Sequence, residues 1–256
     1  MRLVLLSLDW LRDKDPRVSL GHASIMARLH QFDGLEVVPV RRAVNATGFD
    51  RHDVLDDLLK ALGGTSADLA IGVYVWNDDV VRWVLRELRR RGFEGRIILG
   101  GPQISYAPAG IAETYPEADV LIRGYGEDAL ARVLASPAPA TIPGVIWRGG
   151  ADLTRPAQVD LDQLPSPILT GVLPVQPFMR WETQRGCIYA CSFCQHREAG
   201  ARLKRRTLSP GRVADEIEAL VCGGVEDVAV LDPIFNTNPD AGVILRRFAE
   251  LGYRGR

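Results

Sequence analysis

The residues best suited to chemistry are three of the four cysteines, Cys187, Cys191 and Cys194, which fall within eight residues as Cys-Ile-Tyr-Ala-Cys-Ser-Phe-Cys. This C-x3-C-x2-C spacing puts three thiols on one short loop, and thiolate sulfur favours iron–sulfur clusters, zinc or copper(I). Structural zinc takes four ligands, commonly in two pairs, and no second pair occurs here. His196 lies two residues past Cys194, a cramped reach for a fourth ligand. A cluster held by three cysteines would instead leave one iron open to a substrate or cofactor. The spacing favours a cluster over zinc, with a coincidental group of thiols as the third reading. Cys222, in Ala-Leu-Val-Cys-Gly-Gly, closes an apolar helical run and reads as a small buried hydrophobe. With no cysteine in the first 186 residues, the chain does not read as a disulfide scaffold.

The stretch Arg185-Gly186-Cys187-Ile188-Tyr189-Ala190-Cys191-Ser192-Phe193-Cys194 resembles the cluster loop of radical SAM enzymes, whose signature is C-x3-C-x-aromatic-C. The resemblance implies that Cys187, Cys191 and Cys194 ligate three irons of a 4Fe–4S cluster. It implies that the fourth iron chelates the amino and carboxylate groups of S-adenosylmethionine, with Phe193 beside the adenine. It also places part of that site after the next strand, in residues 231–236, where Asp232 and Asn236 are the candidate contacts. Gly223-Gly224-Val225-Glu226 shares letters with the family's Gly-Gly-Glu motif but precedes that strand, and reads as a helix C-cap. The basic run at residues 202–206 reads as a solvated positive face; some radical SAM enzymes use such a segment to hold substrate or steady the cluster's charge.

What must position these residues is an alternation of elements. Apolar runs at 3–8, 35–40, 69–75, 96–99 and 120–122 read as strands, and 19–31, 51–62, 78–91, 109–115 and 127–134 have apolar residues at helical spacing. Five strands alternating with helices predict a doubly wound parallel sheet, which binds ligands at the carboxyl ends of its strands. The loops expected there are Val75-Trp76-Asn77, Gly100-Gly101-Pro102-Gln103 and Gly124-Tyr125-Gly126-Glu127, whose glycines let a large flat ligand approach the backbone. A proline-rich break at 137–143 follows, then a small hairpin from 145–147 and 152–154. The acidic, proline-containing segment 160–167 reads as a linker. Residues 178–183 and 227–231 read as strands and 210–220 and 241–251 as helices, the first with Ser209 as N-cap and Pro210 in its first turn.

This order of sheet, Gly-Gly-Pro, Gly-x-Gly-Glu, linker and cysteine loop is similar to that of cobalamin-binding radical SAM enzymes. The resemblance implies an α/β chain: a flavodoxin-like doubly wound parallel sheet of cobalamin-binding type, then the start of a radical SAM partial (β/α) barrel. Its parts are residues 1–136, a hairpin and linker at 137–177, and two β/α units at 178–256. Trp76, Asn77, Gly100, Gly101, Pro102, Gln103, Gly124, Gly126 and Glu127 become the candidate cobalamin contacts. The chain departs from the family's Asp-x-His-x-x-Gly segment: Asp9-Trp10-Leu11-Arg12-Asp13-Lys14-Asp15 has no histidine, and His22 reads as a helix-start residue. Some relatives bind cobalamin without a protein histidine, and some keep the domain only as a scaffold.

The activity implied is cobalamin-dependent methylation of a small molecule of natural-product type, started by reductive cleavage of S-adenosylmethionine with an external one-electron reductant. A full (β/α)8 barrel takes about 250 residues, so a fragment, a second chain completing the barrel, or a second unit that folds differently is expected. The alternative is a non-catalytic module that holds cobalamin or a cluster for a partner. The 31 basic and 32 acidic residues, net charge -1, argue against nucleic-acid binding. No apolar run approaches the roughly 18 residues of a membrane helix, and the N-terminus reads as a strand, not a signal peptide. The expected location is the cytoplasm.

Overall fold

The computed structural model describes every residue except 64–66, 137–138, 190, 195–196, 199–200 and 203–204. The readings at His196, at the start of the proline-rich break and in the middle of the basic run lie outside the described residues. The chain divides into two compact units, Met1–Leu11 with Arg28–Val159, and Arg12–Ala27 with Asp160–Arg256. Among the described residues no helix is long and apolar enough to cross a membrane.

The first unit is built on β1 (Arg2–Asp9), β2 (Glu36–Ala43), β3 (Asp68–Gly72), β4 (Ile97–Gly100), β5 (Val120–Ile122) and β6 (Val145–Trp147), in the sheet order β2-β1-β3-β4-β5-β6. The first five are parallel, so the order reverses at β1 and β3, as in flavodoxin-like sheets. Residues two apart share a face of a strand. Val4, Leu6, Leu8, Leu69, Ile71, Ile97 and Leu99 thus meet one layer of helices, α2 (Arg51–Leu62) and α3 (Asp78–Arg90), which bury Leu55, Leu58, Val84, Leu85 and Leu88 against them. The alternate residues Leu3, Leu5, Ile98, Val120 and Ile122 are buried on the other face, where α5 (Gly126–Ala135) buries Leu130, Val133 and Leu134. Helix α2 starts where Asp50 accepts the His52 N–H and stops at left-handed Gly63. In α3, Asp78 and Asp79 open the helix and Arg89 and Arg90 close it, matching the helix dipole.

Two expectations in this unit are corrected. Residues 109–115 form only a 3-10 turn, Ile111–Thr114, because Gly110 at φ +88° starts it and Pro116 stops it. A separate one-turn helix, α4 (Pro102–Ser105), precedes it. The expected hairpin is absent as well: β6 pairs antiparallel with β5, Val120 opposite Trp147, and residues 152–154 form no strand. The free edge of β5 supplied a partner that a three-residue strand could not find locally.

The second unit holds α1 (Leu20–Leu29) up to Ala27, β7 (Phe178–Trp181), β8 (Gln184–Arg185), β9 (Arg197–Glu198), β10 (Ala201–Arg202), β11 (Arg206–Thr207), α6 (Pro210–Cys222), β12 (Asp227–Val230) and α7 (Ala241–Glu250). β7 and β12 run parallel across α6, giving the two expected β/α units. Trp181 is fully buried; its indole N–H donates to Glu216 (2.6 Å), whose other oxygen accepts from Arg212 (3.0 Å). Arg212 also donates to the carbonyls of Leu161 and Leu164, fastening the incoming segment to α6. Gly223 caps α6 as expected. Cys222 is corrected: it is exposed, two positions past buried Leu220 and so on the opposite side of the helix from the apolar stripe.

Candidate cofactor site

In the first unit the glycine loops all follow carboxyl ends of parallel strands. After β3, Asn77 is buried and its amide is fully engaged with backbone: it accepts the Tyr74 N–H (2.9 Å) and donates to the carbonyls of Leu8 (3.0 Å) and Gly72 (3.1 Å). The Trp76 indole also donates to Leu8 (3.0 Å). The loop after β3 is therefore fastened to the end of β1, where the strand order reverses. Trp76 stacks on Tyr74, ring centroids 4.5 Å apart. It stays 40% exposed, beside Val75 at 76%, and Trp10 at the end of β1 is 56% exposed. Trp10, Val75 and Trp76 thus leave apolar surface open to water at the carboxyl edge of the sheet.

After β4, Gly101 adopts φ +93°, and a Cβ there would stand 2.7 Å from the Val73 carbonyl oxygen, so no other residue fits. Gly100 ends β4, Pro102 opens α4, and the Gln103 N–H donates to Val73 (3.2 Å). After β5, Gly124 has φ +82° with Ala157 backbone against it. Gly126 begins α5, and Glu127 in its first turn is buried. Burial, and then the charges of Asp9 and Glu127, push the Tyr74 phenol above its ordinary pKa, so β1, β3 and β5 bring three titratable groups to one edge. Tyr74 was not singled out from the sequence, and Asp9 and Trp10 were named only as part of the segment that lacks the family's histidine. Arg123 was not singled out either, although an arginine directly after the apolar Val-Leu-Ile strand needs a partner and was a readable signal.

In the second unit, β8 pairs antiparallel with β11, and the cysteine loop spans between them from Gly186. Cys187 and Cys194 are half-buried and Cys191 is exposed; all three thiols are free. The Tyr189 N–H points to the Cys187 sulfur (3.4 Å), the Cys194 N–H donates to the Cys191 carbonyl (3.2 Å), and Phe193 is 88% exposed. The donor types suit a cluster, yet among the described residues no three metal-ligating side chains are gathered into one group. Asp232 lies at the loop's base, accepting the N–H groups of Thr183 (2.7 Å) and Gln184 (3.1 Å) and the Thr183 hydroxyl. Buried Asn238, which sequence reasoning missed, donates to Thr183 Oγ1 (2.8 Å), while Asn236 is exposed. In the basic run, Arg205 donates to the Thr237 carbonyl (2.5 Å).

The profile of the B12 binding domain matches residues 18–134. The chain carries a B12-binding domain. It is also homologous to cobalamin-dependent radical SAM methyltransferases: it is 32% identical to the enzyme TokK of Streptomyces tokunonensis over 201 residues, 71% of this chain and 29% of that protein. It is likewise 32% identical to the 2-(S-pantetheinyl)-carbapenam-3-carboxylate methyltransferase of Streptantibioticus cattleyicolor, over 93% of this chain and 34% of that one. The chain thus spans about a third of the length of the curated relatives it matches. In fold it resembles the cobalamin-dependent S-adenosylmethionine radical enzyme OxsB, solved with aqua-cobalamin and S-adenosylmethionine bound, with TM-score 0.68 and 17% identity over 98% of this chain and 36% of that one. For a B12-binding domain the carboxyl edge of the first unit is suitable in kind: Trp10, Val75 and Trp76 are apolar and open, and glycine backbone lies in the flanking loops. The segment after β1 has no histidine to reach cobalt.

Proposed function

We propose that the chain is the cofactor-holding part of a cobalamin-dependent radical SAM methyltransferase acting on a small molecule. The observation that carries this is the occurrence in one chain of a B12-binding domain and a free three-cysteine loop of the C-x3-C-x-aromatic-C form, set directly behind the first strand of a β/α pair. In this reading Trp76, the Gly100–Gly101 turn and the Gly124–Glu127 loop hold the corrinoid, and Cys187, Cys191 and Cys194 hold a 4Fe–4S cluster. A cluster held by these cysteines would supply an electron for cleavage of S-adenosylmethionine, and cobalamin held by the loops would supply a methyl group. Phe193 offers its open face to the adenine. Asp232, committed to Thr183 and Gln184, sets the base of the cysteine loop, while exposed Asn236 is free to meet the polar end of S-adenosylmethionine. An external one-electron reductant is required.

Anaerobic reconstitution with iron, sulfide and hydroxocobalamin tests this reading by absorption. A shoulder near about 400 nm that disappears in Cys191→Ala, together with corrinoid bands that survive that substitution, is the expected result. Corrinoid bands absent from the wild type would refute the role of the first unit; a shoulder unchanged in Cys191→Ala would refute that of the loop.

A further inference from the structure

Arg123 follows β5 and is 2% exposed, yet it carries a charge. Its guanidinium meets six acceptors in a fixed fork, the longest contact being Nη1 to the Ser105 carbonyl (3.5 Å). Nε and Nη2 pair with the two oxygens of Asp152 (3.1 and 2.7 Å), Nη1 donates to the carbonyls of Ile104 (2.9 Å) and Ala107 (2.6 Å), and Nη2 donates to Pro108 (2.9 Å). Those carbonyls belong to the end of α4 and the turn behind it, where helix carbonyls have no partner of their own. The next residue repeats the link, since the Gly124 N–H donates to Ser105 Oγ (3.0 Å). Arg123 and its neighbour thus tie the loop after β4, with Gly100, Gly101 and Gln103, to the loop after β5, with Gly124, Gly126 and Glu127. Asp152 also accepts the N–H of Thr154, held at φ +51°, which anchors the third side of the junction.

A contrasting pair exists at the other end of the same sheet. Arg96 precedes β4, pairs with Asp68 (2.5 Å), and donates to the carbonyls of Val133 (3.1 Å) and Ser136 (3.0 Å) at the end of α5. The two arginines do the same structural work, closing a helix end and pairing with a carboxylate, but only Arg123 does so beneath the glycine loops.

We propose that Arg123 is a positioning residue for the corrinoid, holding the two glycine loops in their binding arrangement before the ligand arrives. This rests on the cobalamin reading above. Affinity gained by holding loops in the bound shape is lost when the tie is cut, even if the fold survives. The fork matters as well as the charge, because a lysine ammonium cannot meet planar, divergent acceptors in the same way.

The test is a hydroxocobalamin titration followed by corrinoid absorbance, on wild type, Arg123→Gln, Arg123→Lys and Arg96→Gln, at a temperature where circular dichroism shows each folded. Kd is expected to rise about tenfold or more in both Arg123 variants and to stay at the wild-type value in Arg96→Gln. Equal weakening in Arg123→Gln and Arg96→Gln would make Arg123 a general stabiliser and overturn the proposal, as would wild-type affinity in either Arg123 variant. If the Arg123 variants do not fold, Ser105→Ala removes one hydroxyl from the same tie: a raised Kd supports the proposal and an unchanged Kd overturns it. Failure of the cobalamin reading is seen separately, as a wild type that gives no titration.

Discussion

At the scale of single residues, the proposed corrinoid site rests on backbone more than on side-chain chemistry. Gly101 shows this most clearly, because its positive φ and the Val73 backbone at 2.7 Å from a would-be Cβ exclude alanine twice over. A Gly101→Ala substitution must strain the turn and push β4 away from the loop after β3. A loss of about 2–4 kcal/mol in unfolding free energy is expected from the two effects together, read by urea denaturation against Gly48→Ala. Gly48 also has positive φ but has open space around it, so the difference between the two variants reports the close contact alone. Equal losses in the two variants would show that the Val73 contact carries no weight.

At the scale of elements, the parallel strands were readable because each is a short β-branched or leucine run between helices of clear periodicity. β5, at Val120–Ile122, and α2, at Arg51–Leu62, fall where the sequence places them. What was not readable depends on partners distant in the chain. β6 joined β5 in place of a local hairpin, and Asp152 was taken by Arg123. The cysteine triplet and the glycine loops could be seen as letters, and Arg123 showed only that it needs a partner, whereas Tyr74 and Asn238 acquire roles only once folding brings their partners to them. The segment from Arg12 to Ala27 is a further case, since it groups with Asp160–Arg256 and not with the strand it follows. One visible reason is Asp15, whose buried carboxylate accepts from the Arg12 backbone (2.9 Å) and side chain and pairs with Arg180 on β7 (2.9 Å). Burial by itself would raise this carboxyl, but the Arg12 hydrogen bonds and the Arg180 and Arg12 charges outweigh it and bring it down to about 2 from 3.8. A carboxyl depressed by folding stabilises the protein above its unfolded pKa and loses that contribution as pH falls through the folded one. Asp15 is therefore expected to contribute up to about 2 kcal/mol near neutrality, fading between about pH 4 and pH 2. Denaturation of wild type and Asp15→Asn across that range should show the gap between them closing in acid; a gap independent of pH would show that the ion pairs are not its source.

At the scale of the whole molecule, a ligand that binds only the folded state stabilises whatever must unfold to release it. The first unit has the continuous apolar core and the glycine-lined edge, so a corrinoid bound there is coupled to the opening of β1, β3 and β4. The second unit has its own buried set around Trp181, Ile217 and Leu220, and its cysteine loop lies apart from that set in sequence, between β8 and β11. Cobalamin at a free concentration 100 times its Kd should add about 2.7 kcal/mol to the unfolding free energy of the unit that holds it. Hydrogen exchange read peptide by peptide is the suitable measurement, because it separates the amides of Leu69, Ala70 and Ile71 from those of Ile217 and Leu220. The gain in protection is expected in the β3 amides, and it should shrink in Arg123→Gln at the same cobalamin concentration, since weaker binding lowers the ratio of ligand to Kd. A gain confined to the α6 amides would place the corrinoid on the second unit and would contradict both the loop assignment and the role of Arg123.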